Sequence, residues 1–160
     1  MRTADDYIKL FNMLPHPEGG YYATCYRSEN RIVPDSKGQS RALYSSIYYL
    51  FREGSISALH QLRSDEIWHW HDGDTIEVAE IDEAGILTET RLGLEPGVFQ
   101  HRISAGTWFG GKTSGSKGFA LMGCTVHPGF DFADFELGER KFLLSVYPQH
   151  AQIIEALTLK

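Results

Sequence analysis

The chain has 160 residues, 42% hydrophobic and 22% charged, the proportions of one ordinary globular domain that can bury roughly two thirds of the surface its unfolded form exposes. Lys and Arg number 15 against 21 Asp and Glu, a formal charge of −6, so no basic surface is available to neutralise a phosphate backbone and nucleic acid is excluded as a partner. Cys25 and Cys124 form no CxxC pair, MRTADDYIKLF lacks the basic-then-apolar order of a signal peptide, and no run reaches the ~20 apolar residues of a membrane span; a reduced, cytoplasmic chain without membrane contact is the expectation.

From the N-terminus, TADDYIKLFNML predicts a helix over about residues 3–14: Thr3 can cap it, Asp5 and Asp6 sit in its first turn, and Tyr7, Leu10, Phe11 and Leu14 keep helical spacing up to Pro15. Short runs rich in β-branched and aromatic residues then follow one another from YYATCYRS through RALYSSIYYLF, SISALHQL, EIWHWH, DTIEVAEID, ILTETRLG, VFQHRIS and TWFGGK to FALMGCTVHP. Gly, Asp, Asn and Ser separate them, and the spacing is that of a sandwich or barrel over about 18–130. ENRIVPDSKGQS, residues 29–40, is the longest polar interruption. After Gly129 no further strand is expected. ELGERKFLLSVYPQHAQIIEALTLK carries two short helical patterns, divided by Pro148, over about 138–158. One domain spanning 1–160 is expected.

The stretch GSISALHQLRSDEIWHWHDG carries the chemistry. Its Gly54, His60, Glu66 and Gly73 match the spacing of the cupin signature GxxxxxHxHxxxExxxxxxG, with Leu62 in place of the second histidine. In SAGTWF, at the distance of the second signature PxGxxH, Ser104 replaces the proline and Phe109 the histidine. The chain resembles a family of cupin-like proteins through LPHPEGGYY, SDEIWHWHDGD, AGTW and GCTVHPGFDFADFEL. The resemblance implies an all-β jelly-roll barrel of two antiparallel sheets, a homodimer, and a small-molecule cavity in the barrel mouth.

A cupin metal site converges imidazole and carboxylate donors on a divalent transition metal, but Leu62 and Phe109 have no lone pair to give, leaving His60 and Glu66 from the usual set. A metal-dependent alternative draws its third ligand from another histidine, with His71 the candidate. Strand alternation opposes this: Glu66, Trp68 and Trp70 share one face, and Ile67, His69 and His71 the other, unless a bulge shifts the phase. The metal-free reading is proton transfer on a small polar or carbohydrate-like molecule. SALHQL is similar to the strand that bears the catalytic histidine of the sugar-nucleotide 3,5-epimerases, which makes His60 the acid/base candidate, with Glu66 orienting it. Tyr48 or Tyr49 would be the opposing acid, Tyr48 being the choice, and alternation lets only one face inward. A non-catalytic binding or sensor protein is the third reading.

Glu18, just before Gly19 and Gly20, is a ligand-binding candidate, and the glycines allow close backbone approach. Arg27 and Arg63 could each pair with a carboxylate or phosphate, of which Arg63 is chosen, although a surface salt bridge explains either. Trp68 and Trp108 are chosen as aromatic walls for stacking. Phe130, Phe132 and Phe135 are expected to plug one end of the barrel, and Cys124 to be a buried, inert thiol.

Overall fold

The computed structural model describes residues 2–34 and 39–159. In chain order the elements are α1 (Ala4–Phe11), β1 (Leu14–Pro15), β2 (Tyr21–Arg27), β3 (Arg31–Ile32), β4 (Arg41–Ala42), β5 (Ser45–Arg52), β6 (Ile56–Leu62) and β7 (Asp65–Gly73). They continue with β8 (Thr75–Ile81), β9 (Leu87–Leu92), β10 (Gln100–Ile103), β11 (Trp108–Ser114), β12 (Phe119–His127), β13 (Phe135–Leu137), α2 (Arg140–Val146) and α3 (Ala151–Ala156). A six-stranded antiparallel sheet runs β1-β2-β5-β12-β7-β10 and a five-stranded one β13-β6-β11-β8-β9; β3 and β4 form a small ribbon apart. The all-β jelly-roll with an N-terminal helix and short C-terminal helices is the architecture observed.

Residues from the facing surfaces of both sheets, among them Tyr49, Phe51, Leu62, Trp68, Ile76, Val78, Phe109 and Met122, fill the inter-sheet core. Two satellite cores lie outside it. α1 covers the outer face of the larger sheet, packing Tyr7 with Leu50, Phe119 and Leu121. α2 and α3 cover the outer face of the smaller one, where Leu143, Ile154 and Leu157 pack on Leu59, Ala79, Ile81 and Trp108.

Some boundaries differ from those expected of the sequence. Thr3 does cap α1, in a reciprocal capping box with Asp6. The helix ends at Phe11, well before Pro15, because Asn12 turns left-handed (φ 50°) and its N–H closes on Ile8 and Lys9. Strand structure continues past Gly129: β13 pairs with β6, matching Phe135 with Leu62 and Leu137 with His60. Within 29–40, Arg31 and Ile32 pair with Ala42 and Arg41; the stretch 35–38 lies outside the described residues.

Three β-bulges decide which side chains face inward. In β6, His60 pairs with Phe109 but Ser57 with Gly111, so β6 spends one residue more than β11 over that interval. In β2, Thr24 pairs with Ile47 and Tyr26 with Ser46, leaving Cys25 as the extra residue. In β7, Trp70 pairs with Met122 and Asp72 with Leu121, leaving His71. Each bulge inverts the alternation beyond it.

Candidate functional site

Between the two sheets, at one end of the barrel, is a cavity of about 210 Å³ whose polar lining comes from β2, β5, β6, β7 and the segment before β2. The β6 bulge brings Ser57 and His60 to the same inner face, three positions apart where regular alternation would oppose them. Gly110 permits it: a Cβ there would sit 2.6 Å from the Ser57 carbonyl oxygen.

Glu18 meets both. Ser57 Oγ donates to Glu18 Oε1 at 2.7 Å, and Glu18 Oε2 lies 3.3 Å from His60 Nε2 and 3.5 Å from His16 Nδ1. Gly19 and Gly20 make this insertion possible. Both have positive φ (112° and 63°), and added Cβ atoms would approach the Ile56 carbonyl oxygen to 2.2 Å and the Tyr49 hydroxyl to 2.7 Å. Glu18 is thus buried, with partners at both carboxyl oxygens.

His60 Nδ1 lies 2.8 Å from the Ala58 carbonyl oxygen, which only accepts, so Nδ1 carries a proton. Nε2 then faces the Glu18 carboxyl. The Glu18 backbone N–H donates to His16 Nδ1 at 3.4 Å. Burial pushes the pKa of His16 below its ordinary value, outweighing the attraction of Glu18, so its ring stays neutral.

Glu66 enters from the opposite sheet, on β7, and is not the carboxylate that orients His60. Trp68 Nε1 donates to its Oε1 at 3.1 Å. Burial, and secondly the neighbouring Glu18, raise its pKa to about 8, so at neutral pH it is an uncharged acid able to donate. Cys124 lies beside it, its thiol pushed well above the ordinary range by burial and by Glu66. The Cys124 thiol stays protonated, and Cys25, on the outer bulge of β2, is exposed and free.

Several assignments expected from the sequence are corrected. Tyr48 does not face the cavity: it packs on the outer face with its ring 4.3 Å from that of Phe11. Tyr49 is the inward tyrosine, donating to the Gly19 carbonyl at 2.6 Å, and burial, reinforced by Glu18, raises its pKa well above the usual phenol value. Trp108 sits under α2 and α3, on the far side of its sheet from the cavity. Trp68 is core that reaches the site through its bond to Glu66. Arg63 is exposed and does not line the cavity, whereas Arg27 does. His69 pairs with Gly123, and His71 stands against Gly123 and Tyr48; both are on the outer face, so neither supplies a ligand inside.

The residues do not fit the metal of a conventional cupin. Leu62 lines the cavity where one ligand would be, and the Phe109 ring packs 4.1 Å from that of His60 where another would be. Among the described residues no group of three or more His, Cys, Asp or Glu is arranged to hold an ion.

His16 and Ser57 were not legible as site residues in the sequence. His16 had a signal in HPEGG, two positions from Glu18; Ser57 had none, because its inward position depends on the bulge.

The profile of the cupin superfamily family DUF985 matches residues 5–138. A Shewanella oneidensis protein of known structure is 41% identical over 99% of both chains, with a TM-score of 0.90. A hypothetical protein from Leishmania major is 33% identical over 99% of this chain and 100% of its own, with a TM-score of 0.93. The capsular polysaccharide assembling protein CapF of Staphylococcus aureus shares the fold at 12% identity and a TM-score of 0.61, over 79% of this chain and 31% of its own. No curated protein matches the chain. With the DUF985 profile covering most of its length and two full-length structural relatives above 30% identity, the chain belongs to the DUF985 family of the cupin superfamily.

Proposed function

We propose that the protein binds a small polar metabolite between its two sheets and moves a proton on it in an isomerase- or epimerase-like reaction. The observation that carries this reading is the pairing of opposites across the cavity: the un-ionised Glu66 on β7 and the close His60–Glu18 pair on the side of β6. Acid and base groups held apart by environment are what proton transfer at neutral pH needs.

On a hydroxy-carbonyl substrate a proton leaves the carbon next to the carbonyl for the His60–Glu18 pair, and its bonding electrons form the C=C bond of an enol. The carbonyl π electrons take the Glu66 proton. Reversal at the neighbouring carbon or on the other face gives the isomer and restores both groups. Ser57 and the Ala58 carbonyl fix the pair, and Trp68 fixes Glu66, so little reorganisation accompanies the transfer. At about 210 Å³ the cavity is below the roughly 300–1,000 Å³ of drug-sized pockets, which favours a simple metabolite over an enclosed sugar nucleotide.

The test is proton exchange. Small hydroxy-aldehydes, hydroxy-ketones and hydroxy acids are incubated with the protein in D2O and followed by proton NMR. Loss of a carbon-bound proton signal, slowed about 100-fold or more by Glu66→Gln and by His60→Gln, is the expected result. A compound that binds in the cavity but never exchanges would replace this reading with that of a binding protein.

A further inference from the structure

The site has a second pole. In β2, regular alternation from Tyr22 and Thr24, which line the cavity opposite Tyr49 and Ile47, would send Tyr26 inward and Arg27 to solvent. The bulge at Cys25 reverses them. Arg27 pairs with Ser45, on the same face as Ile47 and Tyr49, and lines the cavity while itself exposed to solvent. Tyr26 pairs with Ser46 and stacks outside against Tyr44, ring centroids 5.3 Å apart. Bulges re-aim side chains in this way at the rims of barrels.

Ser45, the register partner of Arg27, accepts the Phe130 backbone N–H at 2.9 Å, which leaves its own hydroxyl hydrogen to donate into the cavity. Arg27 is the one Arg or Lys among the described lining residues, whereas the floor holds Glu18 and Glu66. The chain as a whole is acidic at −6, so anions gain nothing from its long-range field and any anion affinity is local to this rim.

Resting on the proposed proton transfer and adding its substrate class, we infer that Arg27 and Ser45 form an anion subsite at the mouth of the cavity, so that the substrate is a small metabolite with a terminal carboxylate or phosphate. The guanidinium holds that group outward, at the rim. The neutral, proton-exchanging end of the molecule is thereby directed to His60, Glu18 and Glu66. The guanidinium presents a planar fork that suits either anion.

The experiment is titration of the full chain by calorimetry and two-dimensional NMR with matched probes: D-glycerate against glyceramide, glyceraldehyde 3-phosphate against glyceraldehyde, and inorganic phosphate alone. The anionic member of each pair is expected to bind at least tenfold more tightly, and Arg27→Gln to bring the ratio close to one, with Arg27→Lys retaining part of it. Thermal melting of both variants checks that they fold. The pair with the larger ratio tells whether the subsite takes a carboxylate or a phosphate. Equal binding of anionic and neutral probes, a preference unchanged in Arg27→Gln, or no binding of any probe overturns the subsite. His60→Gln keeps this apart from the underlying reading: if it weakens both members of a pair while Arg27→Gln weakens neither, the cavity stands and the anion subsite falls. If His60→Gln changes neither affinity, the cavity reading itself falls.

Discussion

Glu18 Oε2 lies 3.3 Å from His60 Nε2, a contact between a glycine-flanked turn near the N-terminus and the bulged strand β6. Both side chains are buried, at 7% and 3% exposure, so neither can turn to water if the other is lost. Glu18→Ala leaves His60 Nε2 and the Ser57 hydroxyl without partners, and removing one member of a buried pair costs about 3–5 kcal/mol. Glu18→Gln, which can still accept from Ser57, is expected to cost less. Urea unfolding of the two variants checks this; equal midpoints for Glu18→Ala and the unaltered chain would contradict the pairing.

Glu66 makes stability depend on pH. Its pKa in the folded chain, about 8, is above the 4.5 of an ordinary Glu, so the folded state holds this proton more tightly than the unfolded state does. Between those values the native form keeps one proton that the unfolded form has lost, so stability falls as pH rises and the loss is complete above pH 8. The loss is on the order of 5 kcal/mol at most. Glu66→Gln is expected to flatten the difference between urea midpoints at pH 5 and pH 9, and to be the more stable protein at the upper end. Parallel profiles would show that Glu66 is ionised when folded.

Leu62 and Phe109 occupy the two ligand positions that the cupin signature would fill with histidine. Leu62→His with Phe109→His is expected to give a protein that co-purifies with a transition metal at close to one equivalent, which Glu66→Gln in the same background reduces. Elemental analysis measures both. Stoichiometric metal in the unaltered chain, lost on His60→Ala, would restore the metal-dependent reading.

Trp108 is 6% exposed and packs between its strand and the C-terminal helices. Truncation to Ala is expected to cost about 3–5 kcal/mol, as for other large aromatic residues in cores. Affinity for a cavity ligand should stay unchanged at temperatures where the variant is folded. Reduced affinity with an intact fold would return Trp108 to the binding site.

Much of the barrel was legible in the residues themselves. Alternating β-branched and aromatic runs bounded by Gly and Asp locate the strands, Thr3 with Asp6 announces the first helix, and the spacing of Gly54, His60, Glu66 and Gly73 points to the fold and to two inward groups. These signals are local, arising from side-chain periodicity and hydrogen bonds a few residues apart. Which neighbours those two groups have was decided in three dimensions. Alternation counts residues along one strand, whereas a bulge is set by the partner strand: Gly110 accommodates the extra residue of β6, and pairing with β5 and β12 leaves Cys25 and His71 unmatched. Hence Ser57 and Arg27 face inward, and Tyr49, not Tyr48, does so beside them. The carboxyl beside His60 comes from Glu18 because a turn with two positive-φ glycines can press its backbone against β6, a closeness that no spacing within one segment encodes.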